Sequence, residues 1–289
     1  CPHCRRKLPP HYLNLKGHIF SIIGAPSSGK SYFLSSLVHE LENAVASKTS
    51  LVWQDADPSG NTMLNDAINR LFSADSPEEA YLSKTDLEGA LYEEFYRHGR
   101  MVKLPRPFVF NVANSKSRTA PISAVFYDNA GEHFEPGRDS EDSPGAQHVA
   151  VASGLFFLYD PTTCRTMRKA LQDMDDPQLH DKVARVDQQI IILRETIVRI
   201  CSILNLPPGE KINTPFAVMI GKSDLWEDKL EGGALLPVIS ERGEVIHGNV
   251  EKNSERLRQY LMQFAPSICS YAEQISTNVR YFAVSSLGC

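Results

Sequence analysis

GHIFSIIGAPSSGKSYFLSSLVHELENA, residues 17–44, is the stretch on which the fold turns. Its first seven residues form a short apolar run of the kind that makes a buried strand. From Lys30 to Ala46 apolar residues recur at helical spacing, at Phe33, Leu34, Leu37, Leu41 and Val45. Between the two lie Gly24 and Gly29, the second followed at once by Lys30 and Ser31. Glycines let a backbone bend until successive N–H groups point into one loop, and the start of a helix adds a field that favours negative charge. Strand, glycine loop and helix in that order therefore predict a cradle for phosphate, where an isolated glycine turn would predict only a helix cap.

Gly24-Ala25-Pro26-Ser27-Ser28-Gly29-Lys30-Ser31 matches the Walker A pattern. In that pattern loop amides, here from Gly24 through Tyr32, surround the phosphates. Lys30 reaches the β- and γ-phosphates as a point charge and the Ser31 hydroxyl ligates Mg²⁺. Working outward, strands are expected near 107–113, 121–128, 154–160, 215–220 and 279–284, with helices near 178–204 and 250–275. Residues 51–105 read as a largely helical insertion, with helices near 61–72 and 86–98, between the Walker A helix and the second strand. Apolar strands alternating with helices predict an α/β fold with a mostly parallel sheet flanked by helices. The expected domains are a partial zinc-ribbon knuckle or linker over 1–12 and a nucleotide domain over 13–289.

Ala124-Val125-Phe126-Tyr127-Asp128 is an apolar strand ending in a carboxylate. Carboxyl ends of parallel strands line the ligand crevice, so Asp128 is the expected second contributor to Mg²⁺. Asp128-Asn129-Ala130-Gly131-Glu132 resembles the DxxG motif of Ras-like P-loop GTPases of the TRAFAC class. That resemblance implies a Gly131 N–H bonded to the γ-phosphate and a second switch over 129–146, where Pro136, Gly137, Pro144 and Gly145 interrupt regular structure. Gly221-Lys222-Ser223-Asp224 resembles the guanine-reading NKxD motif with Gly in place of Asn, which implies that Asp224 accepts two hydrogen bonds from guanine while Lys222 packs along the base. Ser285-Ser286-Leu287-Gly288 resembles the fifth motif of the same family, with Ser286 and Leu287 near the base.

Two departures stand out. Residues 96–106, where a switch threonine would precede the DxxG strand, hold neither Thr nor Ser, leaving Thr62 and Thr85 as substitutes. The helix that would follow 288 is not in this sequence, so part of one sheet face is expected to be exposed or covered by something else. For hydrolysis, Glu132 sits where the family places a water-positioning Gln, His133 is its neighbour, and Arg100 or Arg138 would act as an internal arginine finger. Slow turnover is expected. Three readings stay open: a regulatory GTPase signalling to attached domains, an ATPase or nucleotide kinase that owes nothing to Asp224, and a non-hydrolysing nucleotide-binding scaffold.

A net charge of -5 gives no support to a nucleic-acid partner, and no apolar run reaches membrane-spanning length. The six cysteines form no disulfide framework, which fits a reducing cytoplasm. Cys1-Pro2-His3-Cys4 has the spacing of one zinc knuckle, half of a four-ligand Zn²⁺ site, with its partners expected upstream. The start at Cys1 and the stop at Cys289 suggest a piece of a longer protein. A half zinc ribbon ahead of such a domain also resembles the double-GTPase domains of bacterial conflict systems.

Overall fold

Lys16–Gly24 form strand β1, whose side chains become progressively more buried towards Gly24. The computed structural model describes residues 8–9, 12–76, 79–82, 92–97, 100–129, 147–171, 179 and 186–286. After β1 come α1 (Lys30–Glu40), β2 (Leu51–Asp55), α2 (Pro58–Phe72), β3 (Tyr92–Arg97), β4 (Arg100–Pro105), β5 (Phe108–Asn114) and β6 (Ile122–Asp128). Then follow α3 (Gln147–Ala150), β7 (Gly154–Tyr159), α4 (Arg165–Ala170), α5 (Val186–Leu204), β8 (Phe216–Ile220), α6 (His247–Phe264), α7 (Pro266–Ile275) and β9 (Val279–Ala283). A π-helical stretch, Leu41–Val45, and a turn, Ala46–Lys48, prolong α1.

Seven strands form one sheet in the order β2-β5-β6-β1-β7-β8-β9, and β3 pairs with β4 in a separate ribbon. Strands β6, β1, β7, β8 and β9 are mutually parallel, β5 runs against β6, and β2 runs against β5. Both faces are covered by helices, which is why the parallel strands read as unbroken apolar runs. On one face Ile22, Phe110, Phe126 and Leu158 pack with Phe33, Leu34 and Val38 of α1 and Leu64 of α2. On the other, Ile23, Leu155, Phe157 and Val218 pack with Ile192 and Leu193 of α5, Leu257 of α6 and Ile268 of α7. Phe20, Phe156, Ala217 and Phe282 on the α1 face are only partly buried.

The mostly parallel α/β architecture is the one expected, and three local expectations need correction. The helix expected over 86–98 is, in its described part, strand β3 paired antiparallel with β4. Tyr92, Phe95 and Tyr96 imitate helical spacing, but facing residues in 100–105 offer a partner that a short run cannot announce by period alone. Leu51–Asp55, placed in the helical insertion, is the edge strand β2 of the main sheet. The single helix expected over 250–275 is two, because Pro266 supplies no N–H and Ala265 before it leaves the helical region at φ -140 and ψ 59. The helix expected over 61–72 is α2, begun one turn earlier by Asp57, which accepts from Gly60 N–H, and by Pro58 in the first turn.

Asn61 of α2 is fully buried and ties the start of that helix to two strands. Its Nδ2 donates to Asp55 Oδ1 at 2.7 Å and to the Val109 carbonyl at 2.9 Å, and its Oδ1 accepts from Val109 N–H at 3.0 Å. Removing the amide leaves several buried partners unmet. Asn61→Ala is expected to cost about 3 kcal/mol, seen as a lower urea midpoint at unchanged slope; an unmoved midpoint would mean that the pin carries little.

Candidate functional site

The parallel register brings the ends of β1, β6, β7, β8 and β9 to one edge: Ile22 lies opposite Asp128, Gly24 opposite Leu158, Tyr159 opposite Ile220, and Ile220 opposite Ala283. The chain leaves β1 towards β2, β5 and β6, then crosses to β7 on the other flank, so β1 ends at a topological switch point, where open α/β sheets bind ligands.

The loop after β1 is tightly specified. Ser27 and Gly29 are left-handed, at φ 62 and 89, and Gly29 is the cap residue just before α1. A Cβ at Gly24 would come within 2.8 Å of both the Leu158 carbonyl oxygen and Ser28 Oγ, so only glycine lets the loop pass β7 this closely. A Cβ at Gly29 would meet nothing within 4 Å, so glycine there serves backbone conformation. Ser28 N–H donates to the Ala25 carbonyl at 3.2 Å. The Ser28 hydroxyl is buried without a hydrogen-bond partner among the described residues. Lys30 is 8% exposed, and its ammonium donates to the carbonyls of Gly24 at 3.0 Å and Ala25 at 2.7 Å.

Ser31 Oγ donates to Asp128 Oδ2 at 2.6 Å. Asp128 is 3% exposed, and burial pushes its carboxyl above the usual range, while the Lys30 charge and the Ser31 hydrogen bond pull it back. Ser31 and Asp128 also line a small cleft with Leu34 of α1 and Met63 and Leu64 of α2, so the insertion supplies one wall of the site. Thr62, the substitute switch threonine offered by the sequence, is exposed, and its hydroxyl donates to the carbonyls of Pro58 and Ser59. Tyr32 sends its side chain away from the loop, where its hydroxyl accepts from Leu82 N–H at 2.8 Å.

Asn129 gave no signal of its own in the sequence. Its buried side chain donates to Ser21 Oγ at 2.9 Å and the Ile22 carbonyl at 2.8 Å, tying the segment after Asp128 to β1. Gly131, Glu132, His133 and Arg138 lie outside the described residues, as do Cys1, Cys4, Thr85 and Leu287; Arg100 opens β4, and its side chain is also outside them. Among the described residues no group of three or more His, Cys, Asp or Glu is placed to hold a metal ion.

His148, in α3, stacks on Tyr127 with ring centroids 4.3 Å apart, and its Nε2 is buried without a hydrogen-bond partner among the described residues. Burial lowers its pKa from 6.5 to about 3. The unfolded chain then binds the proton more readily than the folded one, so stability falls as pH drops through the window from 6.5 towards 3. The expected slope is up to about 1.4 kcal/mol per pH unit. His148→Phe keeps a ring on Tyr127 and should flatten the fall in melting temperature with acid; a variant as acid-sensitive as the parent would contradict the assignment.

The loop after β8 is stitched between its neighbours. Gly221 N–H donates to the Tyr159 carbonyl at 2.8 Å and Ser223 N–H to the Val284 carbonyl at 3.1 Å, while the buried Trp226 donates from Nε1 to the Gly221 carbonyl at 2.9 Å. A Cβ at position 221 would lie 3.3 Å from the Tyr159 carbonyl oxygen, which is a physical reason for glycine there. Lys222 is left-handed at φ 54, and its ammonium donates to Asp160 Oδ2 at 2.9 Å and Thr162 Oγ1 at 3.0 Å. Asp160 and Thr162 were not singled out from the sequence, although Asp-Pro-Thr after an apolar strand is a turn signature. Asp224 is exposed. The Ser286 carbonyl accepts from Ser36 Oγ of α1, which fastens the segment after β9 beside the Walker A helix.

No known family model matches the chain, and no curated protein matches it. Among solved structures the chain is similar to sup35 complexed with GDP, at 12% identity and a TM-score of 0.29, over 98% of this chain and 40% of that one. This chain thus spans less than half the length of that one. No described helix is long and apolar enough to cross a membrane.

Proposed function

We propose that this chain is a nucleotide-dependent switch that binds GTP with Mg²⁺ and hydrolyses it slowly to GDP and phosphate. The observation that carries the reading is the 2.6 Å hydrogen bond from Ser31 to Asp128 beside a glycine loop whose lysine lies across it. A hydroxyl and a carboxylate are hard oxygen donors, and a buried carboxylate whose pKa is pushed up by desolvation gains from a cation beside it. The residues present therefore fit Mg²⁺, with Ser31 and Asp128 holding it. Bound there, Mg²⁺ would neutralise charge on the β- and γ-phosphates. The backbone N–H groups of the loop from Gly24 to Tyr32, of which Pro26 has none, would surround the phosphates, and Lys30 would exchange its two carbonyl partners for phosphate oxygens.

The base loop lies two strands away on the same edge, about 10 Å from β1 at ordinary strand spacing, a span that a nucleotide bridges. Asp224, exposed at that edge, would accept from guanine, with Lys222 along the base and the segment at Ser286 and Leu287 closing over it. In the segment 129–146, Gly131 would meet the γ-phosphate, Glu132 or His133 would orient water, and Arg138 or Arg100 would offset charge in the transition state. That segment would carry the state of the γ-phosphate to regulatory or effector domains. Cys1 and Cys4 would begin a separate Zn²⁺ knuckle.

The test is the nucleotide released when freshly purified protein is denatured, identified by mass, followed by phosphate release from added GTP. Guanine nucleotide and slow, Mg²⁺-dependent release are expected. Adenine nucleotide alone would remove the guanine assignment, and GTP bound without turnover would remove the hydrolase.

A further inference from the structure

We propose that Gln189 is a positioning residue for the nucleotide base, acting through Lys222; the proposal rests on the reading of residues 221–224 as the base loop. Gln189 sits in α5, is fully buried, and spends its carboxamide on the turn that follows β7. Its Oε1 accepts from Asp160 N–H at 2.7 Å, and its Nε2 donates to the Asp160 carbonyl at 3.0 Å and to Thr163 Oγ1 at 2.6 Å. Both backbone groups of Asp160 are thus gripped by one side chain. The direction of the amide is fixed, because a flipped amide would set N–H against N–H.

The grip passes along a chain of polarised bonds. Asp160 Oδ1 accepts from Thr162 N–H at 2.9 Å and from Thr162 Oγ1 at 2.6 Å, which leaves Oδ2 for Lys222 at 2.9 Å. Thr162 Oγ1, having donated its proton to Asp160, accepts from the same ammonium at 3.0 Å. Lys222 holds a left-handed backbone at φ 54, a conformation that a non-glycine residue keeps only when its surroundings enforce it. Two residues on stands Asp224. Gln189 therefore orients the ammonium that fixes the loop presenting Asp224, although it lies on a helix remote in sequence from that loop. A residue needed only to fill the α5 core could be apolar, with no amide to satisfy.

The variants are Gln189→Glu, which keeps shape but loses both donations, and Thr163→Val, which removes one partner of the amide at a half-buried position. Each is made alone and with Lys222→Ala. Affinity is read by displacing N-methylanthraniloyl-GDP with GDP and, separately, with inorganic pyrophosphate. Gln189→Glu is expected to weaken GDP about tenfold and to leave pyrophosphate unchanged within about twofold. The GDP effect should vanish when Lys222 is already alanine, and Thr163→Val should show the same pattern at smaller size and stands in if Gln189→Glu does not fold. Equal losses for GDP and pyrophosphate, losses that add in full to Lys222→Ala, or unchanged GDP affinity in folded protein would overturn the proposal. Parent protein that binds ADP as tightly as GDP would overturn the base-loop reading and this proposal with it, whereas a preserved guanine preference with inert Gln189 variants would overturn only this one.

Discussion

Lys30→Ala is expected to weaken GTP binding by about a hundredfold or more. The ammonium is nearly buried and held by two backbone carbonyls, at 3.0 and 2.7 Å, so it is aimed before a ligand arrives. A unit charge about 4 Å from a phosphate is worth about 4 kcal/mol at the effective dielectric of a protein surface. Part of that is offset by breaking the carbonyl bonds, which leaves at least two orders of magnitude in affinity. Fluorescence titration with N-methylanthraniloyl-GTP measures the effect, and a melting curve checks the fold. Unchanged affinity would mean that phosphates bind elsewhere.

Asp224→Asn should cost about a hundredfold in GTP affinity and leave ATP affinity where it was. The carboxylate is exposed, and no hydrogen bond from another described residue engages it, so the fold should not depend on it. As a reader of guanine it would accept two hydrogen bonds. An amide in its place keeps one acceptor and turns a donor towards a donor, which costs the full desolvation of an unmet group. Competition of GTP and ATP for the same fluorescent probe gives the ratio directly. Equal losses for both nucleotides, or none for either, would contradict base reading by this residue.

Much of the placement of the candidate site residues was legible because each part follows an apolar strand. Gly24, Lys30 and Ser31 come directly after β1, Asp128 ends β6, and Lys222 and Asp224 follow β8, so a parallel sheet had to bring them to one edge. What could not be read were the side chains that hold those parts in place. Asn61, Asn129 and Gln189 are single polar residues whose partners lie 48, 108 and 29 positions away, and nothing local marks them. Asp160 was readable in part, since Asp-Pro-Thr announces a turn, but its pairing with Lys222 depends on β7 and β8 being neighbours. The strands β2 and β3 were missed because five or six residues are too few for a period to separate strand from helix. The break at Pro266 was missed although proline rarely continues a helix, because the apolar spacing runs on through it.

Calorimetric titration of the protein with GTP, in excess magnesium and again with EDTA, tests the central arrangement most directly. Saturable one-to-one binding is expected with magnesium, markedly weaker without it, and weaker again in an Asp128→Ala variant that still melts cooperatively. No heat with GTP or ATP in magnesium, from protein shown to be folded and stripped of nucleotide, would contradict the account.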